Sequence, residues 1–135
     1  MEVSSIVKSH FLRLYHLAMV DNNFSPTEWD MLYEFGEKRG VSSEKLNEIL
    51  LDPVGELEIP ESFEEKIEYL IDFSIMIWAD GVVANEERDA LIKFCTSFEI
   101  ESSKVNSLSD LLLENVEKEA ASEEIIRKSI ELLNS

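Results

Sequence analysis

Apolar residues recur at helical spacing along almost the whole chain, and no segment shows a sustained alternation of apolar and polar residues. The clearest apolar stripe runs from Phe63 to Trp78, and its second half is apolar on nearly every side. A spacing of three or four residues is typical of amphipathic helices, whereas a period of two is typical of strands. The sequence therefore predicts an all-α fold, a compact bundle of about seven helices with the Phe63–Trp78 helix in the middle of the core.

The second predicted helix has recognisable signals at both ends. Ser25 is suited to cap its N-terminus, Pro26 suits the first helical position, and Glu28 completes a capping box. Gly40 is a natural C-terminal cap, so we expect this helix to end near Arg39. These signals fix one helix closely enough to serve as a reference for the rest of the chain.

The 135 residues carry 12 basic and 29 acidic side chains, which gives a net charge of −17. A length of this order is usual for one domain, so we predict a single domain over residues 1–135. The negative charge disfavours binding to nucleic acid or to anionic lipid surfaces. We find neither a signal peptide pattern nor an apolar run long enough to span a membrane. These features predict a cytoplasmic protein without membrane insertion, whose partners are other proteins.

Residues 11–47 align with residues 70–106 at a constant offset of 59 without a gap. Eight aligned pairs are identical: Asp21/Asp80, Glu28/Glu87, Asp30/Asp89, Leu32/Leu91, Phe35/Phe94, Ser43/Ser102, Lys45/Lys104 and Asn47/Asn106. Each half predicts a helix, an acidic turn, a second helix, a short turn and a third helix. Two such repeats can pack about a pseudo-twofold axis, so that each covers the apolar face of the other.

The repeated apolar residues are explained as core positions, but the repeated acidic residues are not, because ionised carboxylates are seldom buried without a partner. In each half an Asp at the end of one helix is followed seven residues later by a Glu in the first turn of the next. Symmetric packing would bring four carboxylates to one cleft, where their mutual repulsion favours a cation. An all-oxygen site suits Ca²⁺ or Mg²⁺. The predicted metal ligands are Asp21, Glu28, Asp80 and Glu87. Asp30 and Asp89 are expected near the rim of the cleft.

The segment Ala79–Glu87 reads Ala-Asp-Gly-Val-Val-Ala-Asn-Glu-Glu, and a looser copy of it precedes the second helix. This pattern resembles the TerB (tellurite-resistance protein B) family, which includes a helical domain of certain J-domain co-chaperones. The resemblance implies a bundle of about seven helices, divalent metal bound by acidic residues on one surface, and a role in stress response. By motif position it assigns metal binding to the same four acidic residues.

Capping is the alternative explanation of these acids, since a Glu at the third helical position and an Asp in a turn both favour the helix N-terminus. The leading hypothesis is a non-enzymatic module that binds a divalent cation and contacts protein partners. The second is a metal-free protein interaction module whose acids cap helices. A hydrolase that uses the carboxylates is the third, although the sequence shows neither a nucleophile motif nor a phosphate-binding loop.

Other chemically versatile residues are better explained by packing. His10 is expected at the margin of the core, and Cys95 is expected to be a small buried apolar residue. Trp29 and Trp78 are expected to form core or the walls of a cleft. None of the four is predicted to be catalytic.

Overall fold

The computed structural model describes residues 5–18, 26–51, 58–78, 83 and 85–135, apart from the side chains of residues 18 and 26–28. Within these ranges the chain forms seven α-helices and no strand, which confirms the all-α prediction. In chain order they are α1 (Ser5–Ala18), α2 (Pro26–Lys38), α3 (Ser43–Leu51), α4 (Phe63–Ile77), α5 (Asn85–Ser97), α6 (Val105–Glu117) and α7 (Ser122–Leu133). Over the described ranges, no helix is long and apolar enough to cross a membrane.

Hydroxyl side chains cap two of the helices. Ser62 Oγ accepts a hydrogen bond from the Glu65 backbone N–H at 3.1 Å and so begins α4. Ser42 Oγ accepts a longer one from Lys45 N–H, at 3.2 Å, at the start of α3. Each bond satisfies a donor that an α-helix leaves without an internal partner.

The chain divides into two compact units, Met1–Ile59 and Pro60–Ser135, here called unit 1 and unit 2. In unit 1, α1, α2 and α3 pack against one another in all three pairs. Their apolar stripes form the core of the unit, since each buries residues three or four apart on one face. This core comprises Phe11, Leu14, Leu17, Leu32, Phe35, Val41, Leu46 and Ile49.

In unit 2, α4 packs against α5, α6 and α7. Its central position agrees with the prediction from its apolar second half. The Phe73 ring lies 4.4 Å from the Phe94 ring, nearly parallel to it, and 6.1 Å from the Phe98 ring. An aromatic cluster therefore lies at the meeting point of α4 and α5, where contacts between rings add to the apolar area that is buried.

The repeat predicted from the sequence is visible in the helices themselves. Shifting α2 by 59 residues reproduces the bounds of α5 exactly, and shifting α1 gives residues 64–77, one residue short of α4 at its start. The third helices agree less well, because α3 shifts to residues 102–110 while α6 begins at Val105. Helix lengths and spacing are thus repeated, whereas the pseudo-twofold relation and the single domain remain predictions.

The turns that end α2 and α5 are repeated in detail. Gly40 and Glu99, 59 residues apart, both have a positive φ, of 76° and 64°. After each, a backbone N–H returns to a carbonyl five residues earlier, from Val41 to Gly36 at 2.7 Å and from Ile100 to Cys95 at 3.1 Å. This arrangement is the Schellman motif, which satisfies carbonyls at the helix C-terminus. The predicted glycine cap at Gly40 is confirmed.

Candidate functional site

The four predicted metal ligands differ in what the structure describes of them. Asp21 and Asp80 lie outside the described residues. Glu28 is the third residue of α2, but its side chain is also outside the description. Glu87 is the third residue of α5, and its side chain is half-buried. The predicted four-carboxylate cluster therefore remains a prediction.

Glu28 and Glu87 occupy the same position of two helices with identical lengths. The third helical position faces the unpaired N–H groups of the first turn, where a negative charge also interacts favourably with the helix dipole. A carboxylate at this position can accept a hydrogen bond from the helix end or bind a cation delivered from outside. The repeated helix start is thus compatible with both explanations of the acidic motif.

The described part of the chain contains no group of three or more His, Cys, Asp or Glu side chains arranged to hold a metal ion. Asp30 and Asp89, the further repeated acids, are both exposed on the outer faces of α2 and α5.

His10 and Cys95 are fully buried, with no exposed surface. The His10 ring contacts Phe11 edge-on at 5.5 Å. Burial raises the pKa of the Cys95 thiol to about 11, although a contact with the Ser109 hydroxyl at 3.7 Å acts in the opposite direction. A thiol without access to solvent and with a raised pKa is a poor nucleophile. The buried apolar role predicted for Cys95 is confirmed, and His10 lies inside the core rather than at its margin.

The sequence reasoning did not single out two buried charged residues, Arg13 and Asp72. They are 6% and 0% exposed and occupy equivalent positions of α1 and α4. The Arg13 guanidinium donates a 2.7 Å hydrogen bond to the Glu58 carbonyl, and its burial lowers its pKa. The nearby Ser9 hydroxyl accepts a hydrogen bond from Glu58 N–H at 2.8 Å. The sequence does contain a signal for both residues, since each charge interrupts an apolar stripe. In unit 1, the role of Arg13 is to hold the chain at Glu58 beside α1.

A row of aromatic side chains lies at the surface of unit 1. The Trp29 ring centre is 6.3 Å from those of both Tyr15 and Tyr33, and it stacks on Tyr33. The Tyr33 hydroxyl donates a 2.7 Å hydrogen bond to Asn47 Oδ1 on α3. Trp29 is 36% exposed, so of its two predicted places, the core or a cleft wall, the core is excluded. The buried face of α2 is centred on Leu32, and Trp29 lies at its edge.

A groove of about 720 Å³ opens on unit 2 between α6 and α7. Its charged lining is mixed in sign, and it contains one ion pair. Lys118 pairs with Glu114 at 3.1 Å, and Lys128 Nζ donates to Asn115 Oδ1 at the same distance. Because these groups already interact within the groove wall, the groove has the character of a helix–helix boundary rather than of a binding site.

Comparisons of the chain with protein-family models, with curated proteins and with solved structures gave no match.

Proposed function

We propose that this chain is a non-enzymatic helical module that binds a divalent cation, Ca²⁺ or Mg²⁺, at its acidic bends and contacts other proteins. The acidic bends are the segments Asp21–Glu28 and Asp80–Glu87. The TerB-like pattern at the second bend makes a stress response of the tellurite type the proposed setting.

The observation that carries this proposal is the exact correspondence of α2 and α5 at the offset of 59. It means that Glu28 and Glu87, the glutamates of the two Asp-x6-Glu motifs, occupy the same position of their helices. Oxygen-only ligands favour hard cations, and repulsion between neighbouring carboxylates is relieved by cation binding. The burial of Cys95 and His10 agrees with a non-enzymatic role for these two residues.

Thermal unfolding with and without metal tests the proposal. Ca²⁺ or Mg²⁺ at millimolar concentration is expected to raise the melting temperature, because a ligand at a hundredfold excess over its Kd stabilises the folded state by about 2.7 kcal/mol. The double variant Asp80→Asn/Glu87→Gln is expected to lose this increase. Glu86→Gln, which neutralises the exposed neighbouring carboxylate on α5, should keep it.

Sodium chloride at the same ionic strength separates binding from screening of the −17 net charge. An equal increase with NaCl, or no increase with either divalent cation, contradicts the proposal.

The second candidate is a metal-free interaction module whose acids cap helices. It is favoured by the place of Glu87 in the first turn of α5, the position of the acid in a capping box. In this case Glu87→Gln, which removes the charge but keeps a side chain that can still form a capping box, lowers the free energy of unfolding by about 0.3–1 kcal/mol, and by the same amount with EDTA or with metal. A loss that appears with metal and vanishes with EDTA contradicts it.

A further inference from the structure

Unit 1 exposes two large apolar side chains, one on α2 and one at the end of α3. Trp29 is 36% exposed and Leu51 is 85% exposed. Leu51 follows Asn47 by one helical turn, so it lies on the same face of α3 as the residue that accepts the hydrogen bond of Tyr33, the last of the row Tyr15, Trp29 and Tyr33. The name α2–α3 face is used below for Tyr15, Trp29, Tyr33, Asn47 and Leu51.

The residues of unit 2 that align with Trp29 and Leu51 are charged. At the offset of 59, Trp29 corresponds to Arg88 and Leu51 to Asp110. Arg88 and Asp110 form an ion pair that joins α5 to α6. At these two aligned positions, unit 2 has charged side chains that bind each other. Unit 1 has an exposed indole and an exposed isobutyl group instead. An exposed apolar patch surrounded by polar residues is typical of a protein interaction site.

Exposed carboxylates lie on the same two helices as the α2–α3 face. Asp30, Glu34 and Glu37 share the outer side of α2, and Glu44 and Glu48 are exposed on α3. Lys45 neutralises part of this charge through its contact with Glu48 at 3.3 Å. A tryptophan beside carboxylates attracts cationic side chains in two ways, through the face of its ring and through ion pairing.

We propose that the α2–α3 face binds a basic segment of another protein, one in which lysines or arginines flank aliphatic residues. Its aliphatic residues cover Leu51 and the Trp29 ring, and its cations reach Glu34, Glu37 and the ring face. A second copy of this chain does not fit, because it would bring a second acidic α2–α3 face and a second net charge of −17 against the first, and the two copies would repel each other. This assignment rests on the partner-binding part of the proposed function and does not depend on metal.

The probe is a synthetic helical peptide of Lys, Leu and Ala with its leucines on one stripe, titrated against the full chain in EDTA by calorimetry. We expect binding that weakens about tenfold or more in Trp29→Arg/Leu51→Asp, the variant that introduces the residues of unit 2. Phe63→Ala is the matched control. It removes an apolar side chain that is 53% exposed at the start of α4, and it should leave the affinity unchanged.

The electrostatic part is tested by Glu34→Gln/Glu37→Gln, which should weaken binding more than Glu64→Gln/Glu123→Gln, an equal change of charge at exposed positions of α4 and α7. A peptide in which alanine replaces every leucine should bind more weakly than the probe. Equal binding by both peptides, or an equal effect of the two charge variants, overturns the proposal by showing attraction to net charge alone.

Circular dichroism checks that each variant folds. Should the double variant unfold, Leu51→Ala provides the test, since its side chain is almost entirely exposed. Failure of the probe to bind overturns the proposal, and so does a dimer in sedimentation equilibrium that Trp29→Arg/Leu51→Asp dissociates. A metal-dependent melting shift in the same protein would leave the cation proposal intact, so the two can fail separately.

Discussion

The two repeats differ in where they stack aromatic side chains, at the surface in unit 1 and in the core in unit 2. In unit 2, Phe73 is fully buried and stacks on Phe94. In unit 1, the position equivalent to Phe73 is Leu14, and the ring contacts described above are made near the surface by Trp29 and Tyr33. The same succession of helices therefore serves two packing schemes. Helix length and turn geometry are common to the repeats, whereas the place of the stacked rings is specific to each.

The difference between an interior and a surface ring can be measured directly. Phe73→Ala is expected to lower the free energy of unfolding by about 3–5 kcal/mol, because it leaves a cavity where α4 meets α5. Trp29→Ala removes a larger side chain, but one that is partly exposed, so we expect a loss of about 1 kcal/mol. Urea unfolding measures both values. Equal losses would show that Trp29 is part of a core and would remove the contrast between the repeats.

A second comparison concerns Gly36 and Cys95, which are equivalent at the offset of 59. A Cβ atom at Gly36 would lie 3.0 Å from the Val41 carbonyl oxygen, whereas unit 2 accommodates a side chain at this place.

Since burial raises the folded-state pKa of Cys95 to about 11, the neutral thiol is favoured, and its contribution to the free energy of unfolding is complete at neutral pH. Stability is expected to fall as the pH rises from about 9, by about 1–2 kcal/mol at pH 10.

Cys95→Ala should remove this part of the pH dependence, so the difference between wild type and variant isolates the thiol from lysine and tyrosine titration. The measurement is urea unfolding at several pH values from neutral to about 10. A difference that stays constant with pH would contradict the raised pKa.

The smallest predicted effects test the repeated turn. Gly40→Ala places a Cβ atom on a left-handed residue and should destabilise unit 1 by about 1 kcal/mol. Glu99→Gly relieves the same conformation in unit 2 and should stabilise it by about 0.5–1 kcal/mol. Thermal unfolding of both variants gives the signs. The turns are not equivalent in energy if both substitutions destabilise the protein.

Much of the fold was predictable because its signals are local. Pro26 and Gly40 bracket α2 almost exactly, and the offset of 59 then transfers its bounds to α5. The left-handed residue Glu99 was not predicted, since a glutamate carries no turn signal of its own. It follows only when the position of Gly40 is carried across the repeat.

The candidate sites were harder to predict because they depend on how faces are oriented. Hydropathy treats Trp29 as a core residue, but its position at the edge of the buried stripe of α2 leaves the ring near solvent. The burial of Arg13 was not predicted for the opposite reason, because its charge predicts exposure. Its hydrogen bond to the Glu58 carbonyl offsets the cost of removing the charge from water. The acidic bends remain a prediction of the sequence.

The paired turns at Gly40 and Glu99 bear on how structurally equivalent positions can be recognised in repeats. At these two sites the backbone has the same left-handed conformation, with a glycine in one repeat and a glutamate in the other. A comparison of residue identities therefore misses this correspondence, whereas a comparison of backbone φ angles at the offset of 59 detects it.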